Sequence, residues 1–221
     1  MIDVQAYMKE LIEELKRNFG CRLVYVGLQG SYQRGEAQEE SDIDPLVVLD
    51  EWTVTDLDLY RTIIEKLAHA DKACGFICGK QQLACWNRLE ICHLLFSTQD
   101  YAGRLSELVP AYDLEDVRQF VILSLNNMIH ELCHRYLHAP RSKNEARLPQ
   151  TYKGAFFILQ GLCYLRHGVF PQKTEQMTSM LEGEDQAILE RIIAFRNGTK
   201  GTFETDFQKL FDWCQHTVTK V

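Results

Sequence analysis

No stretch of the 221-residue chain stays apolar for the ~20 residues that would span a bilayer, so a membrane-spanning helix is not expected. Basic charge is in deficit, with 24 Lys and Arg against 31 Asp and Glu and a net charge of -7. Proteins that bind by neutralising many phosphates are normally basic, which argues against a nucleic-acid coat or duplex reader. The first segment carries charges from Asp3 to Arg17 and lacks the apolar core of a secretory signal. A cytoplasmic protein is therefore expected. Prolines are few, at five, and neither an internal repeat nor a low-complexity tract occurs. Cysteine is not scarce, but the run Cys74, Cys78, Cys85 and Cys92 lacks the twice-repeated C-x₂₋₄-C grouping of a zinc ribbon. Buried thiols in a reducing compartment are the expectation. What is present is an ordinary globular balance, 46% hydrophobic and 25% charged, enough to build a core.

The charge is unevenly distributed. Residues 1–112 hold 18 acidic and 11 basic side chains, whereas residues 113–221 hold 13 of each. Within the first half Glu36, Glu39, Glu40, Asp42, Asp44, Asp50 and Glu51 crowd together. Such a run is either a solvated loop or a place that holds a multivalent cation.

Hydrophobic spacing divides the chain in two. Val4, Tyr7, Met8, Leu11, Ile12 and Leu15 predict an amphipathic helix over 3–18 that ends at Gly20. Strands are predicted at Arg22–Leu28, Asp42–Leu49 and within Leu83–Phe96, clearest in LEICHLLF. Pro45 lacks a backbone donor and points to an edge strand or a bulge. A helix over about 56–70 is expected, capped by Thr53 or Thr55. After Asp113 every periodic segment is helical, at about 113–138, 150–167, 174–182, 185–196 and 203–219, with Pro140, Pro149, Pro171, Gly183 and Gly198 between. The fold class is thus α+β, a mixed sheet with flanking helices over 1–110 followed by an all-α bundle over 111–221.

The chemistry concentrates in VGLQGSYQRGEAQEESDIDPLVVL. One strand ends at Gly30-Ser31, and the next opens on Asp42-Ile43-Asp44. Alternate strand residues share a face, so the two aspartates project together while Ile43 turns into the core. Paired carboxylates at neutral pH suit Mg²⁺, which takes one or two of them and completes its shell with water and substrate phosphates. Gly30 permits close approach, and Ser31 can donate to a phosphate. This combination matches what moving a nucleotide from a triphosphate requires. Glu90 is the candidate third carboxylate, as metal ligand or general base. Arg34 and Gln33 follow the serine, where they either steer phosphates or simply face water.

Gly30-Ser31 followed by Asp42-Ile43-Asp44 resembles the signature of the polymerase-beta-like nucleotidyltransferase superfamily. GSYQRGE with SDID is especially similar to the minimal nucleotidyltransferases, and Leu89-Glu90-Ile91 to the third-carboxylate strand of the aminoglycoside adenylyltransferases. The resemblance implies Gly30 and Ser31 at the triphosphate, and Asp42, Asp44 and Glu90 around two Mg²⁺ ions. The donor would be ATP or another nucleoside triphosphate. The acceptor would be a hydroxyl of an aminoglycoside-like small molecule or of a protein. Pro45 departs from the family's usual aliphatic residue.

In the second half, His130-Glu131-Leu132-Cys133-His134 matches the H-E-x-x-H pattern of zinc hydrolases, and His138 extends it. Yet the apolar stripe Val117, Val121, Leu125, Met128, Leu132 lies nearly opposite these histidines, which places them in solvent or against the other domain. Lys153, expected near a helix start, could reach a triphosphate or remain a surface lysine. The segment 150–171 resembles the bundle of kanamycin-type nucleotidyltransferases and HEPN domains, though the Arg–His spacing of HEPN ribonucleases is missing. The expectation is a nucleotidyltransferase with a helical lid or acceptor-binding domain, with homodimerisation open. The alternatives are a nucleotide-binding or antitoxin-like module that transfers nothing and, more remotely, a zinc hydrolase.

Overall fold

The computed structural model describes residues 2–199 and 201–221. It falls into two compact units, Met1–Tyr112 and Asp113–Val221.

The first unit begins with α1 (Val4–Phe19), whose first turn is closed by Asp3 accepting from the amides of Gln5 and Ala6 at 3.1 Å. Tyr7, Met8, Leu11, Leu15 and Phe19 recur at helical steps and are buried on one side. The chain then runs through β1 (Leu23–Gln29), the short α2 (Gly30–Arg34), β2 (Asp44–Leu49) and α3 (Val54–Ile64). It continues with β3 (Phe76–Gly79), α4 (Lys80–Ala84), α5 (Arg88–Phe96) and β4 (Gln99–Ala102). The sheet order is β3-β2-β1-β4, with β1 antiparallel to both β2 and β4 and β2 parallel to β3. Strand alternation sends Val26, Leu28, Ile43, Val47 and Leu49 to the face shared with α1, along with Ile63. Tyr25, Leu46, Val48 and Cys78 go to the other face, against Leu83, Ile91 and Leu94.

Three expectations need correction here. LEICHLLF is the helix α5, not a strand: Asn87 accepts from the Leu89 amide at 3.1 Å as its cap, and Ile91, Cys92 and Leu94 are its buried side. The helix after Thr53 stops at Ile64, earlier than expected, and Thr53 and Asp56 form its capping box. Pro45 lies on a central strand, because the gap it leaves is absorbed by its neighbour. Ile43 donates to Lys72 O at 2.7 Å and accepts from Cys74 N at 2.8 Å, so this edge of β2 faces β3. Two residues on, Pro45 has no hydrogen to offer, and regular β3 pairing resumes only at Leu46↔Phe76. Gly75 fills the break, since a Cβ there would collide with the Pro45 backbone and ring.

The second unit is helical: α6 (Leu114–His138), α7 (Arg141–His167), α8 (Thr174–Thr178), α9 (Gly183–Arg196) and α10 (Phe203–Val218). α7 begins earlier than expected and runs through Pro149. Leu148, Tyr152, Ala155, Phe156 and Leu159 carry one buried stripe across the proline, and this burial outweighs the ~3 kcal/mol that an interior proline costs. Trp213 and Tyr152 are buried in the same core, each with a polar anchor. Trp213 Nε1 donates to Asp185 at 2.6 Å, and Tyr152 Oη donates to Asp206 O at 2.8 Å. No helix of the described residues is long and apolar enough to cross a membrane.

Of the four cysteines expected as buried thiols, Cys78 and Cys92 are buried, and burial pushes both up to about 11. Cys74 and Cys85 are exposed instead. All eight cysteines are free.

Candidate active site at the Gly30–Asp44 corner

β1 and β2 meet tightly where β1 gives way to α2. Gln29 pairs with Asp44, the last step of an antiparallel register that starts at Leu23. The next residue, Gly30, has φ +74, a conformation that favours glycine, and a Cβ there would run into Asp44 Oδ2. The carboxylate of Asp44 therefore lies directly over the turn that carries Ser31. Two constraints act at one position, the backbone and the space, and both require glycine.

The aspartates are held from behind. Ile43 between them is fully buried, and both its backbone bonds go to the chain entering β3. A small turn precedes them, with Ser41 Oγ accepting from Gln38 N at 2.8 Å and Ser41 N donating to Gln38 O at 3.0 Å. Asp42 is exposed and Asp44 half-buried, so the pair stands at the water boundary on a fixed backbone. The spacer folds back as well, with Glu36 N donating to Ser31 O at 2.9 Å.

Of the other expected site residues, Arg34 ends α2 with its side chain only 12% exposed, its Nε 3.3 Å from Glu36. That cation is already committed to a neighbouring acid. Glu90 sits exposed in the first turn of α5 rather than on a strand, so the reason for placing it beside the aspartates is gone. Among the described residues no three His, Cys, Asp or Glu side chains stand together as a metal cage. The candidate donor set is therefore limited to the two carboxylates of Asp42 and Asp44. That set fits Mg²⁺, which needs no more when substrate phosphates and water supply the remaining oxygens. Lys153 is exposed in the middle of α7, not at a helix start, and belongs to the second unit.

One residue was not anticipated. The bridge Ile43↔Ala73 and the pairs from Leu46↔Phe76 onward keep a single register, which sets Lys72 beside Asp42 and Cys74 beside Asp44. Lys72 Nζ lies 3.2 Å from Glu40, and that hydrogen bond, with weaker help from Asp71 and Asp42, raises the ammonium above its usual range. No local signal could have found it, because the contact depends on parallel pairing across the helix α3. Asp100 on β4 is another strand acid. It is taken up structurally, accepting from the buried Tyr25 hydroxyl at 2.6 Å.

The histidines form no comparable corner. His130, His134 and His138 are all exposed on α6, with neighbouring ring centroids 6.1 and 5.1 Å apart. Glu131, the would-be general base, is paired with Arg135 at 2.7 Å.

Residues 8–75, which contain the whole corner, match the family model for the nucleotidyltransferase domain. Among solved structures, the chain is similar to spectinomycin adenyltransferase AAD(9) from Enterococcus faecialis, a protein crystallised with ATP and spectinomycin. The two are 13% identical, with 97% of this chain and 99% of that one covered and a TM-score of 0.62, so the likeness is one of fold. No curated protein matches the chain by sequence. The glycine-serine turn and both aspartates lie inside the segment that matches the nucleotidyltransferase domain.

Proposed function

We propose that the chain transfers AMP from ATP to a hydroxyl group of a small, polar acceptor, and that the Gly30–Asp44 corner is where this happens. The observation that carries the reading is the contact of Gly30 with Asp44, which sets the glycine-serine turn against the Asp44 carboxylate without an intervening side chain. Asp42 and Asp44 would hold Mg²⁺, which when bound supplies charge neutralisation for the departing pyrophosphate and the attacking oxygen. The backbone and hydroxyl of Ser31 would donate to the β- and γ-phosphates, since amide and hydroxyl donors suit phosphate oxygens. Holding the triphosphate at this fixed turn orients the α-phosphorus, and the acceptor hydroxyl attacks it in line with the pyrophosphate leaving group.

Two considerations favour a small cationic acceptor of the aminoglycoside type. The nucleotidyltransferase half carries the whole net charge of -7 and would attract cations. The fold is also that of an enzyme crystallised with spectinomycin. A protein hydroxyl is the competing acceptor. A pyrophosphate-release assay with each nucleoside triphosphate tests the proposal, across aminoglycosides, aminocyclitols and the protein itself as acceptors. Release that depends on ATP and a small polyamine-polyol supports it. Release that needs only a protein acceptor, or prefers another base, contradicts that part.

A further inference from the structure

We propose that Lys72 is a phosphate-binding residue of the nucleotide site, stored on Glu40 until a triphosphate arrives. This rests on reading the Gly30–Asp44 corner as the triphosphate site and adds a residue to it. The need for such a cation follows from charge. A triphosphate is a polyanion, and it must approach a half-chain with 18 acidic and 11 basic side chains, seven of the acids between Glu36 and Glu51. Like charges at close range oppose binding unless cations stand at the site. Arg34 lies three residues after Ser31 in α2, but it is largely covered and already paired with Glu36.

Lys72 is differently placed. Its carbonyl accepts from Ile43 N at 2.7 Å, which pins its backbone beside the residue separating the two aspartates. Its ammonium rests on Glu40 at 3.2 Å, and the Glu40 side chain is 93% exposed. A pair whose acid stands this far into solvent is weakly held, and the ammonium is easily exchanged onto another anion. A phosphate oxygen with its higher charge is the stronger partner. Glu40 thus competes with the nucleotide for the same ammonium, and the two members of the pair should act in opposite directions.

That opposition separates a ligand role from a brace. The experiment is equilibrium binding of an α,β-methylene ATP analogue with Mg²⁺ to the full chain, by calorimetry, for wild type, Lys72→Gln, Lys72→Arg and Glu40→Gln. Thermal unfolding of each variant checks that the fold is kept. The expected result is a loss of about tenfold in affinity for Lys72→Gln, the value of one charged hydrogen bond. Lys72→Arg should recover most of it, and Glu40→Gln should bind more tightly than wild type. If Glu40→Gln weakens binding as Lys72→Gln does, the pair merely braces the loop and the proposal is wrong. Wild-type affinity in Lys72→Gln also overturns it. Failure of the wild type to bind the analogue at all would instead remove the nucleotide site itself, and Lys72's part with it.

Discussion

Two clusters in this chain carry sequence patterns known for metal chemistry, and they are built very differently. Asp42 and Asp44 sit on a strand entry whose intervening Ile43 is buried and bonded on both backbone groups to the neighbouring chain. A glycine with φ +74 beneath Asp44 leaves no room for any side chain. His130, His134 and His138 instead lie on the outer face of a regular helix, exposed, with the adjacent glutamate paired to Arg135. No buried contact or backbone constraint fixes the three imidazoles in place. A motif is informative when the surrounding backbone is constrained to present it, and the acidic corner meets that test while the histidine face does not.

The comparison can be broken at its sharpest point by Gly30→Ala. The added methyl group meets Asp44 Oδ2 in a backbone conformation that disfavours alanine, so either the turn or the carboxylate must move. A displacement of roughly 1 Å costs on the order of 10²-fold in rate, and steady-state transfer kinetics should show this with the fold retained. An unimpaired variant would mean that the corner is not under the constraint described.

A milder test concerns Glu90. Exposed in the first turn of α5, it should be replaceable by glutamine with transfer rates within about twofold, since surface substitutions usually change little. A thousandfold loss would restore it as a working carboxylate. The smallest effect belongs to the histidines. Replacing His130, His134 and His138 together by asparagine should shift unfolding free energy by less than about 0.5 kcal/mol per site and leave transfer unchanged. Denaturant melts and the same kinetic assay check both halves of that expectation.

Much of the corner was legible because its signals are local. A glycine-serine at a strand end and alternate aspartates opening the next strand are fixed by a few consecutive residues. The element that carries Glu90 was misread for the opposite reason. LEICHLLF is an apolar run too short for its period to separate strand from helix, and the deciding contribution came from the Asn87 cap and the packing of Ile91 and Leu94. The strands β3 and β4 have four residues each and leave almost no pattern to read. Pro45 pointed to an edge because the compensation, Gly75 just ahead of the partner strand β3, is thirty residues away in sequence. Lys72 was invisible for the same reason. In the helical unit Pro149 looked like a boundary, but burial on both sides of it carried α7 through.

The most direct measurement is transfer of label from an α-labelled nucleoside triphosphate by wild type and by the double variant Asp42→Asn, Asp44→Asn. Both proteins should first be shown to unfold at similar denaturant concentrations. The acidic corner as catalytic site predicts a loss on the order of 10³-fold or more, because the charge that holds the metal is gone while the backbone remains. Label transfer that persists at the wild-type rate in the double variant would contradict it.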